Sequence, residues 1–83
     1  MSVSLKHDRK AFEVEWTEGL ESTDDVKLFF INPGDLSDIS NTDARANDGS
    51  AVATVPGDFS GEINVEVRTA TDGNVLDSGT ISL

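Results

Sequence analysis

Cysteine is absent from this 83-residue chain. No disulfide can staple the fold, and thiolate zinc sites, iron–sulfur centres and cysteine nucleophiles are excluded. Tyrosine is also absent, and histidine and tryptophan occur once each. The lone imidazole, His7, lacks the company that catalysis needs. A general base works on a nucleophile and is oriented by an acid, but the nearby Ser4 and Asp8 lie at odd offsets, which in a strand point to the opposite face. Basic residues are scarce: six Lys and Arg stand against sixteen Asp and Glu, for a net charge of −10. Such a charge repels nucleic-acid phosphates and anionic membranes, so no direct nucleic-acid contact is expected. No apolar run reaches the length of a secretory signal or a membrane span, so no membrane insertion is expected and nothing marks an export route. A cytoplasmic protein, a virion protein and an excised surface module all fit these absences, and residues 1–83 read as a single domain.

What is present is alternation. No window holds a 3.6-residue apolar period, whereas β-branched and aromatic residues recur at every second position. Val3 and Leu5 mark a short first strand. Phe12, Val14 and Trp16 alternate with Glu13, Glu15 and Thr17, three large side chains to one face and polar ones to the other. Glu18-Gly19 ends this strand. A third strand covers Val26–Ile31, with Val26, Leu28 and Phe30 on one face and Phe29 and Ile31 on the other. Asn32-Pro33-Gly34-Asp35 then supplies turn chemistry.

The stretch from Asp35 to Ser50 is polar. It reads either as a loop across one end of the fold or as a short edge strand near Ile39–Thr42. Ala51–Val55 is a strand of small residues, Pro56-Gly57-Asp58 turns the chain, and Phe59 can tuck beneath the core. Glu62–Ala70 alternates cleanly, with Ile63, Val65 and Val67 inward. Asp72-Gly73-Asn74 is a hairpin turn, and Val75–Leu83 is the last strand, in which Gly79 suggests a bulge. Six or seven short strands with turn signals every eight to twelve residues predict an antiparallel β-sandwich, with a small barrel as the alternative.

The series Phe12-Glu13-Val14-Glu15-Trp16-Thr17, Val26-Lys27-Leu28, Ala53-Thr54-Val55-Pro56, Phe59-Ser60-Gly61 and Val65-Glu66-Val67 resembles the immunoglobulin-like sandwich modules of secreted Ser/Thr-rich cell-wall proteins, over about residues 10–82. The resemblance implies an immunoglobulin-like or fibronectin-like module without catalytic residues. The chain departs from that pattern in having no secretory signal and no aromatic residue in its penultimate strand.

Candidate chemistry is thin. Carboxylates gather at Glu21 with Asp24 and Asp25, at Asp35 with Asp38, and at Asp43 with Asp48, but a glycosidase needs its pair across a cleft that a small sandwich has little room for. Hard oxygen ligands in a loop would suit calcium. The stretch Asp43–Gly49 lacks the alternating acid spacing of an EF-hand and carries Arg45 at its centre, so a solvated acidic loop outweighs a calcium-dependent adhesion module. Gly34, Gly49, Gly57 and Gly73 sit at turns, and no phosphate cradle exists. Lys6, Arg9 and Lys10 beside His7 read as an edge-strand guard.

No enzyme and no cofactor are therefore expected. The expectation is a non-catalytic binding or assembly module with a protein partner, built into a larger complex. Its candidate contacts are Phe29 and Ile31, whose face is either covered by the middle segment or exposed and adhesive, together with Asp35, Asp38, Asp43 and Asp48. An acidic inhibitor mimicking nucleic acid is the competing class, opposed by Lys27, Arg45 and Arg68, which interrupt the negative surface.

Overall fold

A computed structural model describes residues 1–32, 37–55 and 59–83, with side chains absent from the description at 37–43. Among the described residues seven strands form: β1 (Ser2–Lys6), β2 (Ala11–Glu15), β3 (Asp25–Asn32), β4 (Ser37–Arg45), β5 (Ser50–Thr54), β6 (Glu62–Thr69) and β7 (Val75–Ser82). A 3-10 turn, Ala46–Asp48, joins β4 to β5. The strands make two antiparallel sheets, ordered β1-β2-β5 and β4-β3-β6-β7. The fold is a small β-sandwich, as the alternation predicts.

The alternating residues of the sequence become the facing layers of the core. Phe12, Val14 and Trp16 from one sheet meet Val26, Leu28, Phe30, Ile63, Val65 and Val67 from the other, and all are buried. The rings of Phe12 and Phe30 stack across the gap with centroids 4.6 Å apart. Such offset-stacked pairs add about 0.5–1.5 kcal/mol beyond their area burial. Phe59 is buried with this cluster, as its place after the turn suggests. Trp16 closes one end: its backbone N–H donates to Gly49 O, and its indole Nε1–H donates to Ala46 O, each at 2.9 Å.

The registers fix which loops share an end. Glu15 pairs with both Ser2 and Ser50, and Asp25 pairs with Arg45, so the β2–β3, β4–β5 and β6–β7 connections lie together. Lys6 pairs with Ala11, and Val55 N–H donates to Lys10 O, so the β1–β2 hairpin lies at the opposite end.

Two expectations are corrected. The middle segment is not a loop across one end; nine residues of it form β4, the edge of the larger sheet, longer than the Ile39–Thr42 strand allowed from sequence. Ser, Asn and Asp score poorly as strand formers, but an edge strand asks chiefly for backbone pairing and tolerates them. The last strand's irregularity does not fall at Gly79, which pairs in register with Val65. The register instead shifts between Val67 and Arg68, which face Asp77 and Val75 and leave Leu76 as the extra residue. Gly79 has another use: a Cβ there would lie 3.2 Å from Met1 Sδ, so the missing side chain admits Met1 onto β7. The Met1 ammonium sits 3.4 Å from the Asp77 carboxylate beside it.

Candidate functional site

The outer face of the four-stranded sheet gathers the apolar residues that the core does not use. Phe29 and Ile31 alternate with the buried Val26, Leu28 and Phe30, so strand geometry turns them outward, where both are half-buried. On β6 their neighbours are Glu66 opposite Phe29 and Asn64 opposite Ile31, while Lys27 stands opposite Arg68. The Arg68 guanidinium lies 4.3 Å from the centroid of the Phe29 ring. Glu66, two residues away and on the same face, forms an ion pair with Arg68 and holds it over the ring. A cation over an aromatic face gains about 0.5–1 kcal/mol at an exposed site. The phenyl ring is therefore shielded by an arginine from its own sheet. Residues 37–45 of the middle segment run beside β3 in the same sheet, as β4.

Ile31 borders a shallow hollow of about 270 Å³ with Asn64, Glu66, Ser78 and Thr80. Its rim is hydroxyl and amide rather than charge, apart from Glu66. A larger open hollow of about 600 Å³ lies at the end of the same sheet, between Asp25, Lys27, Ala44, Arg45, Asp48 and Ala70. It carries both signs of charge. The β3–β4 ladder is irregular beside it, with a register shift between Lys27 and Leu28. Such bulges twist a strand locally and re-aim its side chains.

The acidic candidates separate. Asp48 is exposed in the 3-10 turn, where its Oδ2 accepts the Arg45 backbone N–H at 3.0 Å. That bond gives Asp48 a capping role in the chain reversal between β4 and β5. Asp38 and Asp43 are on β4, at the positions opposite Ile31 and Lys27. Asp35 lies outside the described residues, as does the Pro56-Gly57-Asp58 turn. Phe29, Ile31 and the backbone positions of Asp38 and Asp43 thus share one sheet, whereas Asp48 sits at its end.

His7 is exposed at the tip of the β1–β2 hairpin. Among the described residues no group of three His, Cys, Asp or Glu side chains is placed to hold a metal ion, and no helix is long and apolar enough to cross a membrane. Asp72, in the β6–β7 turn, is held below its usual value of 3.8 by the Thr69 hydroxyl and the Asn74 backbone N–H, both of which donate to it. These bonds favour the charged form and brace the turn; Gly73 beside it adopts φ +73°, the left-handed geometry expected there.

Sequence reasoning missed the Arg68 cover on Phe29. The signal was present: Glu66 and Arg68 share a face of β6, and pairing β3 with β6 brings that face beside Phe29. Comparison with known proteins found no matching family model, no matching curated protein and no matching solved structure.

Proposed function

We propose that the chain is a non-catalytic protein-binding or assembly module of the immunoglobulin-like or fibronectin-like kind, and that the outer face of β3 and β6 is its contact surface. The strand order supports the first half. The first, second and fifth strands share one sheet, and the fourth, third, sixth and seventh share the other, with hairpins inside each sheet and crossovers between them. One observation carries the second half: an aromatic and an aliphatic residue, Phe29 and Ile31, stand half-exposed on a sheet face beside Arg68. Aromatic and arginine side chains dominate the energetics of protein interfaces, whereas lone charged residues at a rim contribute little.

The test is a capture experiment from native extract with wild type and with Phe29→Ser/Ile31→Ser, each repeated at low and high salt. Both proteins should keep the blue-shifted Trp16 emission of the folded state. The wild type should retain its partner as salt rises, because apolar contact resists screening, and the double variant should lose it. Capture that survives the double substitution at both salt concentrations would remove the sheet face from the proposal. Capture that collapses with salt alone would favour the acidic mimic of nucleic acid.

A further inference from the structure

The β1–β2 hairpin opposes the rest of the molecule in charge. Lys6, Arg9 and Lys10 against Asp8 give it a net charge of +2, while the whole chain carries −10, so the remainder carries −12. Residues 6–10 are all exposed. Lys6 reaches Glu13 at 3.7 Å, and the described residues provide no salt-bridge partner for Arg9 or Lys10.

The hairpin is also strained. His7, Asp8 and Arg9 are consecutive and all left-handed, at φ 55°, 57° and 67°, closed by bonds from Lys10 N–H to Lys6 O and His7 O at 3.1 and 3.2 Å. An L-residue with a side chain pays roughly 1–2 kcal/mol in that region, and Gly or Asn is the ordinary occupant. A tip designed only to reverse the chain would take those residues. This one keeps an imidazole, a carboxylate and a guanidinium where each is costly, and strain of that kind collects at working surfaces.

At the other end of the strands the charge has the opposite sign. Glu18, Glu21, Asp24, Asp25, Asp48 and Asp72 are all exposed on the connections gathered there, interrupted by Arg45. The hairpin caps β2, whose five residues at about 3.3 Å each put about 17 Å of strand between the two ends. The carboxylates at that end are too far away to neutralise the hairpin of the same molecule.

We infer that the Lys6–Lys10 hairpin is an interaction site for clustered carboxylates and that its occupant is the acidic end of a second copy of this chain. The contact uses different surfaces on the two partners: made end to end it propagates head to tail, and made side by side and antiparallel it closes as a two-fold dimer. Charge complementarity sets the choice. The −12 carried by the remainder repels an extended polyanion such as a duplex or a membrane, whose charge continues past the hairpin. A compact carboxylate cluster presents its charge only at the tip. The inference stands apart from the sheet-face proposal, since neither Phe29 nor Ile31 takes part.

A charge-swap experiment by sedimentation velocity tests it, in about 0.1 M salt, where the Debye length is about 10 Å and the bodies of two molecules are largely screened from each other. Arg9→Glu/Lys10→Glu makes both ends acidic; Glu18→Lys/Glu21→Lys/Asp24→Lys turns the far end from −5 to +1. Trp16 emission confirms that each variant is folded. The wild type should self-associate as its concentration rises towards millimolar. Each variant alone should associate at least tenfold more weakly, and an equimolar mixture of the two should recover association, because the ends are complementary again. A wild type that stays monomeric overturns the inference, as does a hairpin variant that associates as well as wild type. Binding of a short DNA duplex through Arg9 and Lys10 by a monomeric wild type would overturn the assignment to a second copy.

Discussion

Replacing Trp16 with Phe tests how one end of the sandwich is locked. The indole is 2 % exposed, and its Nε1–H donates at 2.9 Å to the carbonyl of Ala46, itself fully buried, thirty residues along the chain. Phenylalanine keeps an aromatic ring in the slot but removes the donor and the second ring. A neutral buried hydrogen bond contributes about 0.5–1.5 kcal/mol net. The lost ring carbons correspond to about two buried methylenes at about 0.8 kcal/mol each. Together these give a destabilisation of about 2–3 kcal/mol. An 83-residue chain has a stability of about 4–12 kcal/mol at about 0.05–0.15 kcal/mol per residue, so the loss is a large share of it. At about 4–8 °C per kcal/mol for a domain of this size, Tm should fall by about 10–20 °C. Far-UV circular dichroism is the assay, because the variant has neither tryptophan nor tyrosine; urea titration alongside it should show a lower midpoint at an unchanged slope. A Tm within about 3 °C of wild type would show that the indole N–H ties nothing down, and the reasoning would fail.

Other outcomes follow from the same geometry. His7→Gly relieves one left-handed residue, so the strain of roughly 1–2 kcal/mol less the added chain entropy of roughly 0.5–1 kcal/mol should leave a gain of about 0.5–1 kcal/mol, read as a higher urea midpoint; a loss would mean that the turn is not strained. A double-mutant cycle between Phe12→Leu and Phe30→Leu should return a coupling of about 0.5–1.5 kcal/mol, and strict additivity would deny the inter-sheet stack. Asp72 has a folded-state pKa below its usual 3.8, so its support for the β6–β7 turn is complete above that value and is lost as pH falls through the folded one. A carboxyl NMR titration should show this low midpoint in wild type and a higher one in Thr69→Val, and no change in the variant would remove the hydroxyl as its chief cause.

The sandwich was legible because its inward residues are large and strictly alternate: Phe12, Val14 and Trp16, then Val26, Leu28 and Phe30, then Ile63, Val65 and Val67 each declare both a strand and the side that is buried. β4 was less legible for the converse reason. Its sequence, SDISNTDAR, has few residues with a preference for strand and offers no run of large apolar side chains to mark a core face. Its pairing to β3 comes from adjacency in the chain and an available edge, neither of which composition records. Gly79 misled because glycine in a strand has two uses, a bulge and a close approach, and only the position of Met1 distinguishes them. Phe29 and Ile31 were visible as surplus apolar residues, but the arginine above the ring depends on a pairing between residues far apart in sequence. The left-handed run at His7, Asp8 and Arg9 carries no glycine to announce it, so the hairpin read as ordinary.

The pairing of β3 has a consequence for a chain still being synthesised. Its partner on one side, β4, follows at once, but on the other side Val26 pairs with Thr69 and Leu28 with Val67. Until β6 has emerged, the most apolar strand of the protein has no cover on that flank, and its five large hydrophobic residues are open to any other strand nearby. β3 and β4 are consecutive in the chain, so their pairing can form early. β4 is hydrophilic and bears Asp38, Asp43 and Arg45, residues of the kind that flank unavoidable hydrophobic strands and discourage wrong pairing. The same polarity that hides β4 from a pattern search makes it a chaperone in cis for the strand beside it.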